Sequence, residues 1–143
     1  KTADLLYIPA AHRPTWYQRK LQTDGNFLNV FSFDRSNVEW GTLSAISPKT
    51  KQIKWQIKTE LAIVSGVLAT DGGLLFYGES DGRFVARDSL TGKRLWDFET
   101  GAGVNAPPIT YRNKGRQYVA IASGGHSLFG YSKGNAIIAF TIP

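Results

Sequence analysis

Few residues in this chain have the types and spacing that chemistry requires. There is no cysteine, which excludes disulfides and thiolate metal sites. The two histidines, His12 and His126, are too few for a histidine-rich metal site, and His126 reads as an exposed loop residue. Asp71, Asp81 and Asp88 stand in turns, where an Asp side chain bonds its own backbone. Glu79 reads as a solvated strand end. No catalytic residue and no metal ligand is predicted among the 143 residues.

The charge points to no special chemistry either. The net charge is +6, but the lysines and arginines are scattered, with Arg19-Lys20 and Lys93-Arg94 the only doublets. No recognition helix, zinc spacing or aromatic RNA-binding motif accompanies them, so no nucleic-acid partner is expected. A solvated basic surface is the first expectation and an acidic protein partner the second. No apolar run approaches the length of a membrane span.

Any site must therefore be held by a scaffold of strands. Fifteen glycines and 13% aromatics favour strands and turns, and the hydrophobic period is two almost throughout. The stretch Val85 to Trp96, VARDSLTGKRLW, reads as strand, tight turn and strand. Gly92 is free to take a positive φ. The Trp96 ring is expected to lie back over this turn and over Ala86, with an acceptor for its indole N–H. Ser44 to Trp55, SAISPKTKQIKW, repeats the pattern without a gap at a spacing of 41 residues. Ala45 matches Ala86, Thr50 matches Thr91 and Trp55 matches Trp96, whereas Ser47 stands for Asp88 and Lys51 for Gly92. The two indoles are expected in like surroundings. A weaker third copy, Asn135 to Ile142, contains Ala139 but no turn or Trp.

A strand-rich repeat of roughly 40–50 residues is the signature of β-propeller blades. The fold class is therefore all-β, with antiparallel propeller blades, and roughly two and a half blades are present. Residues 1–58 read as the last three strands of a blade with a long loop over Ala10 to Asn26. Its first strand, Leu5 to Ile8, is ended by Pro9. Residues 59–100 read as a complete four-stranded blade, with hairpin turns at Asp71-Gly72-Gly73 and Ser80-Asp81-Gly82. Residues 101–143 read as three strands of a last blade, begun after Pro107-Pro108 and interrupted by the loop Ser123-Gly124-Gly125-His126-Ser127. Such a chain reads as a slice of a larger ring, whose open strand edges would recruit copies of itself.

The two Ala–Thr–Trp copies resemble the tryptophan-docking motif of the eight-bladed quinoprotein alcohol dehydrogenases. The run from Gly72 to Gly125 is closer still to the C-terminal part of the methanol and ethanol dehydrogenases. Phe76-Tyr77-Gly78, Asp81-Gly82, Thr91-Gly92-Lys93, Pro108-Ile109-Thr110-Tyr111 and Gly115-Arg116-Gln117-Tyr118-Val119 follow in that family's order. The resemblance implies oxidation of a primary alcohol with pyrroloquinoline quinone (PQQ) and calcium or a lanthanide, in the periplasm, with electrons passed to a cytochrome c. The family's catalytic Asp and metal ligands lie upstream of this stretch. The fragment alone is thus expected to be inactive, to bind no cofactor, and to have the rest of the propeller as its partner.

Two places match family segments that approach the quinone. Val64, Ser65 and Gly66 form one, although the family often has Trp or Asn at the position of Val64. Ser127 and Leu128 form the other, where the family often has Gly-Trp. Both sets are expected to contact the cofactor. A different class remains open, since propellers with the same docking motif also serve as non-enzymatic scaffolds in the assembly of outer-membrane barrels.

Overall fold

Alternating apolar and polar residues, cut by glycine at tight turns, give an all-β chain. The computed structural model describes residues 4–33 and 38–141. The start at residues 1–3, part of the turn-rich stretch before Glu39, and Ile142 with the final Pro143 lie outside the described residues. Twelve strands are present among them: β1 (Leu6–His12), β2 (Thr15–Leu21), β3 (Phe27–Phe33), β4 (Trp40–Ile46), β5 (Ile53–Thr59), β6 (Val67–Ala69), β7 (Leu74–Gly78), β8 (Arg83–Asp88), β9 (Arg94–Glu99), β10 (Ile109–Asn113), β11 (Arg116–Ser123) and β12 (Ala136–Thr141). They form antiparallel sheets in the orders β1-β4-β5, β6-β7-β8-β9 and β10-β11-β12, plus the two-stranded ribbon β2-β3.

The middle sheet is buried on both faces because neighbouring residues on its strands point opposite ways. On one side Leu75, Tyr77 and Val85 pack with Leu43 and Ile63 of the first sheet and its connection. On the other, Phe84 packs with Val104 and Ile121, flanked by Phe76, Val119 and Phe140. Three sheets thus stand face to face as sectors of a propeller. A fully buried side chain of this size contributes about 1.5–3 kcal/mol, so these two seams hold the sectors together.

Ala10 to Asn26 is not a structureless loop. Strand β1 runs through Pro9, which pairs in register with Leu43. An edge strand tolerates proline because its outward side needs no N–H donor. Residues Thr15–Leu21 then pair with Phe27–Phe33 in a hairpin, turned at Asp24-Gly25-Asn26. There Asp24 Oδ1 accepts from the Asn26 N–H at 2.9 Å.

The two repeat copies close their turns with the same pair of backbone hydrogen bonds. Lys51 N–H donates to Ser47 O and Ser47 N–H to Gln52 O; Gly92 N–H donates to Asp88 O and Asp88 N–H to Lys93 O. Ala45 faces Trp55 and Ala86 faces Trp96, each with a register shift at the next residue. The indoles nevertheless meet unlike surroundings. Trp55 does not lie over its own turn. Its Nε1 donates to Ser89 O of the following sheet at 3.1 Å, and a Cβ on Gly92 would come within 2.8 Å of its ring. Trp96 is 39% exposed and meets Phe84, Phe98 and Phe140 instead. The difference follows from the third sheet, which has no such turn among the described residues to receive the ring.

Candidate functional site

Antiparallel strands send alternate connections to opposite ends of a sheet. In this chain the β7–β8 turn, the β5–β6, β9–β10 and β11–β12 connections and the base of the hairpin meet at one end. Hydrogen bonds tie them together. Ser80 Oγ, in the β7–β8 turn, lies 2.7 Å from Ala62 O and 2.9 Å from Asn105 Oδ1. Val104 N–H donates to Glu79 O, Gly103 N–H to Ser132 O and Gly125 N–H to Gly103 O.

The β7–β8 turn is held from below by charge. Glu79 is 6% exposed, not the solvated strand end that its type suggests. Its Oε1 accepts from the Tyr77 hydroxyl at 2.6 Å and from Arg94 at 2.9 Å. Arg87 Nε donates to the same hydroxyl at 3.0 Å. Burial first, and then the Glu79 carboxylate, push the Tyr77 hydroxyl well above its ordinary range. The carboxylate survives burial because it is both paired and hydrogen-bonded. Asp81 and Asp88 behave as turn residues: Asp81 Oδ1 accepts from the Arg83 N–H, and Asp88 Oδ1 from the Leu90 and Thr91 N–H groups.

An open groove crosses this end of the molecule, lined among others by Arg13, Glu39, Ser80, Ser127, Leu128 and Tyr131. Arg13 Nε lies 3.3 Å from Glu39 Oε2, and the Tyr131 hydroxyl donates to Glu39 Oε1 at 3.2 Å. Burial, followed by the nearby Glu39 carboxylate, pushes the Tyr131 hydroxyl up to about 12. Beside the groove, Asn105 Nδ2 and His126 Nδ1 are buried and have no hydrogen-bond partner among the described residues. A buried donor left without an acceptor is costly, and such groups are candidates for contact with a ligand.

The residues singled out from sequence divide between two places. Ser127 and Leu128 are exposed on the groove. Val64, Ser65 and Gly66 do not line it. Ser65 is buried, its hydroxyl accepting from the Gly78 N–H at 3.0 Å and lying 2.9 Å from Ala106 O. Its polar capacity is thus engaged within the fold. At Gly66 a Cβ would come within 2.7 Å of Pro107 Cβ, so glycine there lets the β9–β10 connection close down. Val64 is half-buried and brings only apolar atoms. The connection from Gly103 to Pro107 links the two places, through Ser65 to Ala106 and Ser80 to Asn105. Sequence reasoning missed Arg13, Glu39, Asn105 and Tyr131. Glu39 and Tyr131 are 92 residues apart, and no motif joins them. For Asn105 the one available signal is an amide placed between Val104 and Pro107-Pro108.

Among the described residues, no group of three or more His, Cys, Asp or Glu side chains could hold a metal ion. Nor, among the described residues, is any helix long and apolar enough to cross a membrane.

Residues 11–119 match the family model described as "PQQ: Glucose/ethanol/alcohol dehydrogenase, beta-propeller domain". The chain is 37% identical over 125 residues to a quinoprotein ethanol dehydrogenase of Pseudomonas aeruginosa, covering 84% of this chain and 20% of that protein. It is 48% identical over 84 residues to the quinoprotein alcohol dehydrogenase PedE of Pseudomonas putida, covering 59% of this chain and 13% of that one. The chain thus spans a fifth or less of the length of these relatives. In structure it is similar to the quinohemoprotein alcohol dehydrogenase of Comamonas testosteroni, with a TM-score of 0.78 and 27% identity over 96% of this chain and 24% of that one. A europium-containing methanol dehydrogenase gives a TM-score of 0.69 at 30% identity, over 85% of this chain and 23% of that one.

Proposed function

We propose, because this chain belongs to the PQQ-type glucose/ethanol/alcohol dehydrogenase β-propeller family, that it forms one rim of the quinone site in a larger enzyme oxidising a primary alcohol. The observation that carries this reading is the convergence of five connecting segments at one end of the sheets, around two buried polar atoms, Asn105 Nδ2 and His126 Nδ1, without a hydrogen-bond partner among the described residues. A planar quinone bearing carboxylate oxygens fits that donor set. Asn105 Nδ2 and the Ser127 hydroxyl would bond its oxygens, and Leu128 would cover its apolar surface. When bound, the quinone supplies the two-electron acceptor. The residues of this chain orient it and exclude water.

The metal, calcium or a lanthanide, belongs with ligands elsewhere in the parent protein, as does the general base. Electrons leave to a cytochrome c, and the parent works in the periplasm. By itself the fragment is inactive and holds no cofactor. Family membership favours this reading over the barrel-assembly scaffold. The test is the full-length parent supplied with quinone and with calcium or a lanthanide. Dye-linked oxidation of a primary alcohol is expected, and its absence with every cofactor supplied would leave the scaffold as the better account.

A further inference from the structure

The groove contains a closed circuit of four side chains drawn from three distant segments. Arg13 leaves β1 just before the hairpin, and Glu39 returns from the hairpin just before β4. Their ion pair of 3.3 Å closes the hairpin's base, with side chains only 15% and 16% exposed. The second oxygen of Glu39 receives the Tyr131 hydroxyl at 3.2 Å. The Tyr131 ring stacks on Phe129 at 5.6 Å between centroids, and the Arg13 guanidinium lies 5.0 Å from the centre of the Phe129 ring. Each link is of a kind that is modest alone. Together they leave few ways for any one member to move, because each side chain is held from two directions.

The circuit fixes a turn. Gly130, between the two rings, has φ 75, a conformation that costs glycine little and lets Phe129 and Tyr131 stack on each other. Its N–H donates to Ser127 O at 3.3 Å. The backbone bridge between His126 and Tyr131 closes the segment. Ser127 and Leu128 are therefore carried on a short turn whose two following rings are clamped to the base of the hairpin.

We propose that Arg13, Glu39, Tyr131 and Phe129 form a clasp that sets the position of the Ser127–Gly130 turn, which makes Glu39 and Tyr131 positioning residues for the quinone site. The inference rests on the reading of Ser127 and Leu128 as quinone contacts, and its test separates the two. In the full-length parent freed of cofactor, quinone affinity is measured by titration with PQQ and folding by thermal unfolding. Glu39→Ala is expected to weaken quinone binding about tenfold, as loss of a hydrogen bond to a charged group does. Glu39→Gln keeps an acceptor for the Tyr131 hydroxyl and is expected to recover part of that loss. The double variant S127A/L128A is expected to weaken binding as well. Normal affinity in Glu39→Ala beside weakened binding in S127A/L128A would overturn the clasp and leave the contact reading standing. Normal affinity in both would overturn both. Should Glu39→Ala fail to fold, Tyr131→Phe keeps both rings and removes one hydroxyl. Weakened quinone binding at an unchanged melting temperature supports the clasp, and normal affinity in that variant overturns it.

Discussion

Lys51 adopts, at φ 57, the left-handed backbone that its counterpart Gly92 adopts at φ 72 without a Cβ. That conformation costs an L-residue about 1–2 kcal/mol, so the first turn carries strain that the second avoids. The second cannot accept the same exchange, because the Trp55 ring lies where a Cβ on Gly92 would go. Gly92→Ala is accordingly expected to destabilise the parent by about 1–3 kcal/mol, read as a lower denaturation midpoint. Tyr131 yields a pH prediction. Its hydroxyl is raised from 10.0 to about 12 in the fold, so the folded state keeps a proton that the unfolded chain loses. Its contribution is whole below pH 10 and is lost as the pH rises towards 12. Thermal unfolding across that window should show a smaller decline in Tyr131→Phe than in the unaltered protein. At this scale the turns are legible in sequence, since Asp88 and Gly92 bond locally. Glu79 is not legible, because its burial depends on Arg94 from the strand beyond the next turn.

The hairpin β2-β3 is the element that sequence reasoning misjudged, and the reason is physical. Periodicity reveals a strand when one face is wet and the other dry. Every described residue of β2 is exposed, so no such alternation exists between Thr15 and Leu21. Trp16 at 70% and Tyr17 at 67% exposure lie on opposite faces of the ribbon. An isolated two-stranded ribbon is marginally stable in water, whereas β7 and β8 lie between two packed faces. Amide exchange should therefore be fastest across Thr15–Leu21 and slowest across β7 and β8. Equal protection in the two regions would mean that something else covers the hairpin. The four-strand meander from β6 to β9 was legible because each of its three turns has a glycine at positive φ, Gly73, Gly82 and Gly92.

Across the whole molecule, the middle sheet has a neighbour on each face and the outer two have one each. The open edges and the half-exposed Trp96 leave apolar surface uncovered on the isolated chain, so its sedimentation should show concentration-dependent association. A single monomeric species at high concentration would count against this. The architecture was readable because the repeat spacing fixes how sheets follow one another. The candidate site was readable only in part. Ser127 and Leu128 came from a likeness to relatives, while the partnership of Glu39 with Tyr131 arises only when three sectors bring their connections to one end.

The seat of Trp55 also gives the chain a direction. Its indole N–H is satisfied by a carbonyl 34 residues further on, on a turn that closes through its own local bonds. During synthesis the first sector leaves the ribosome with this indole donor unpaired and waits for the turn of the second to receive it. Assembly is thus expected to be vectorial, completion of the first sector being deferred until its successor has emerged.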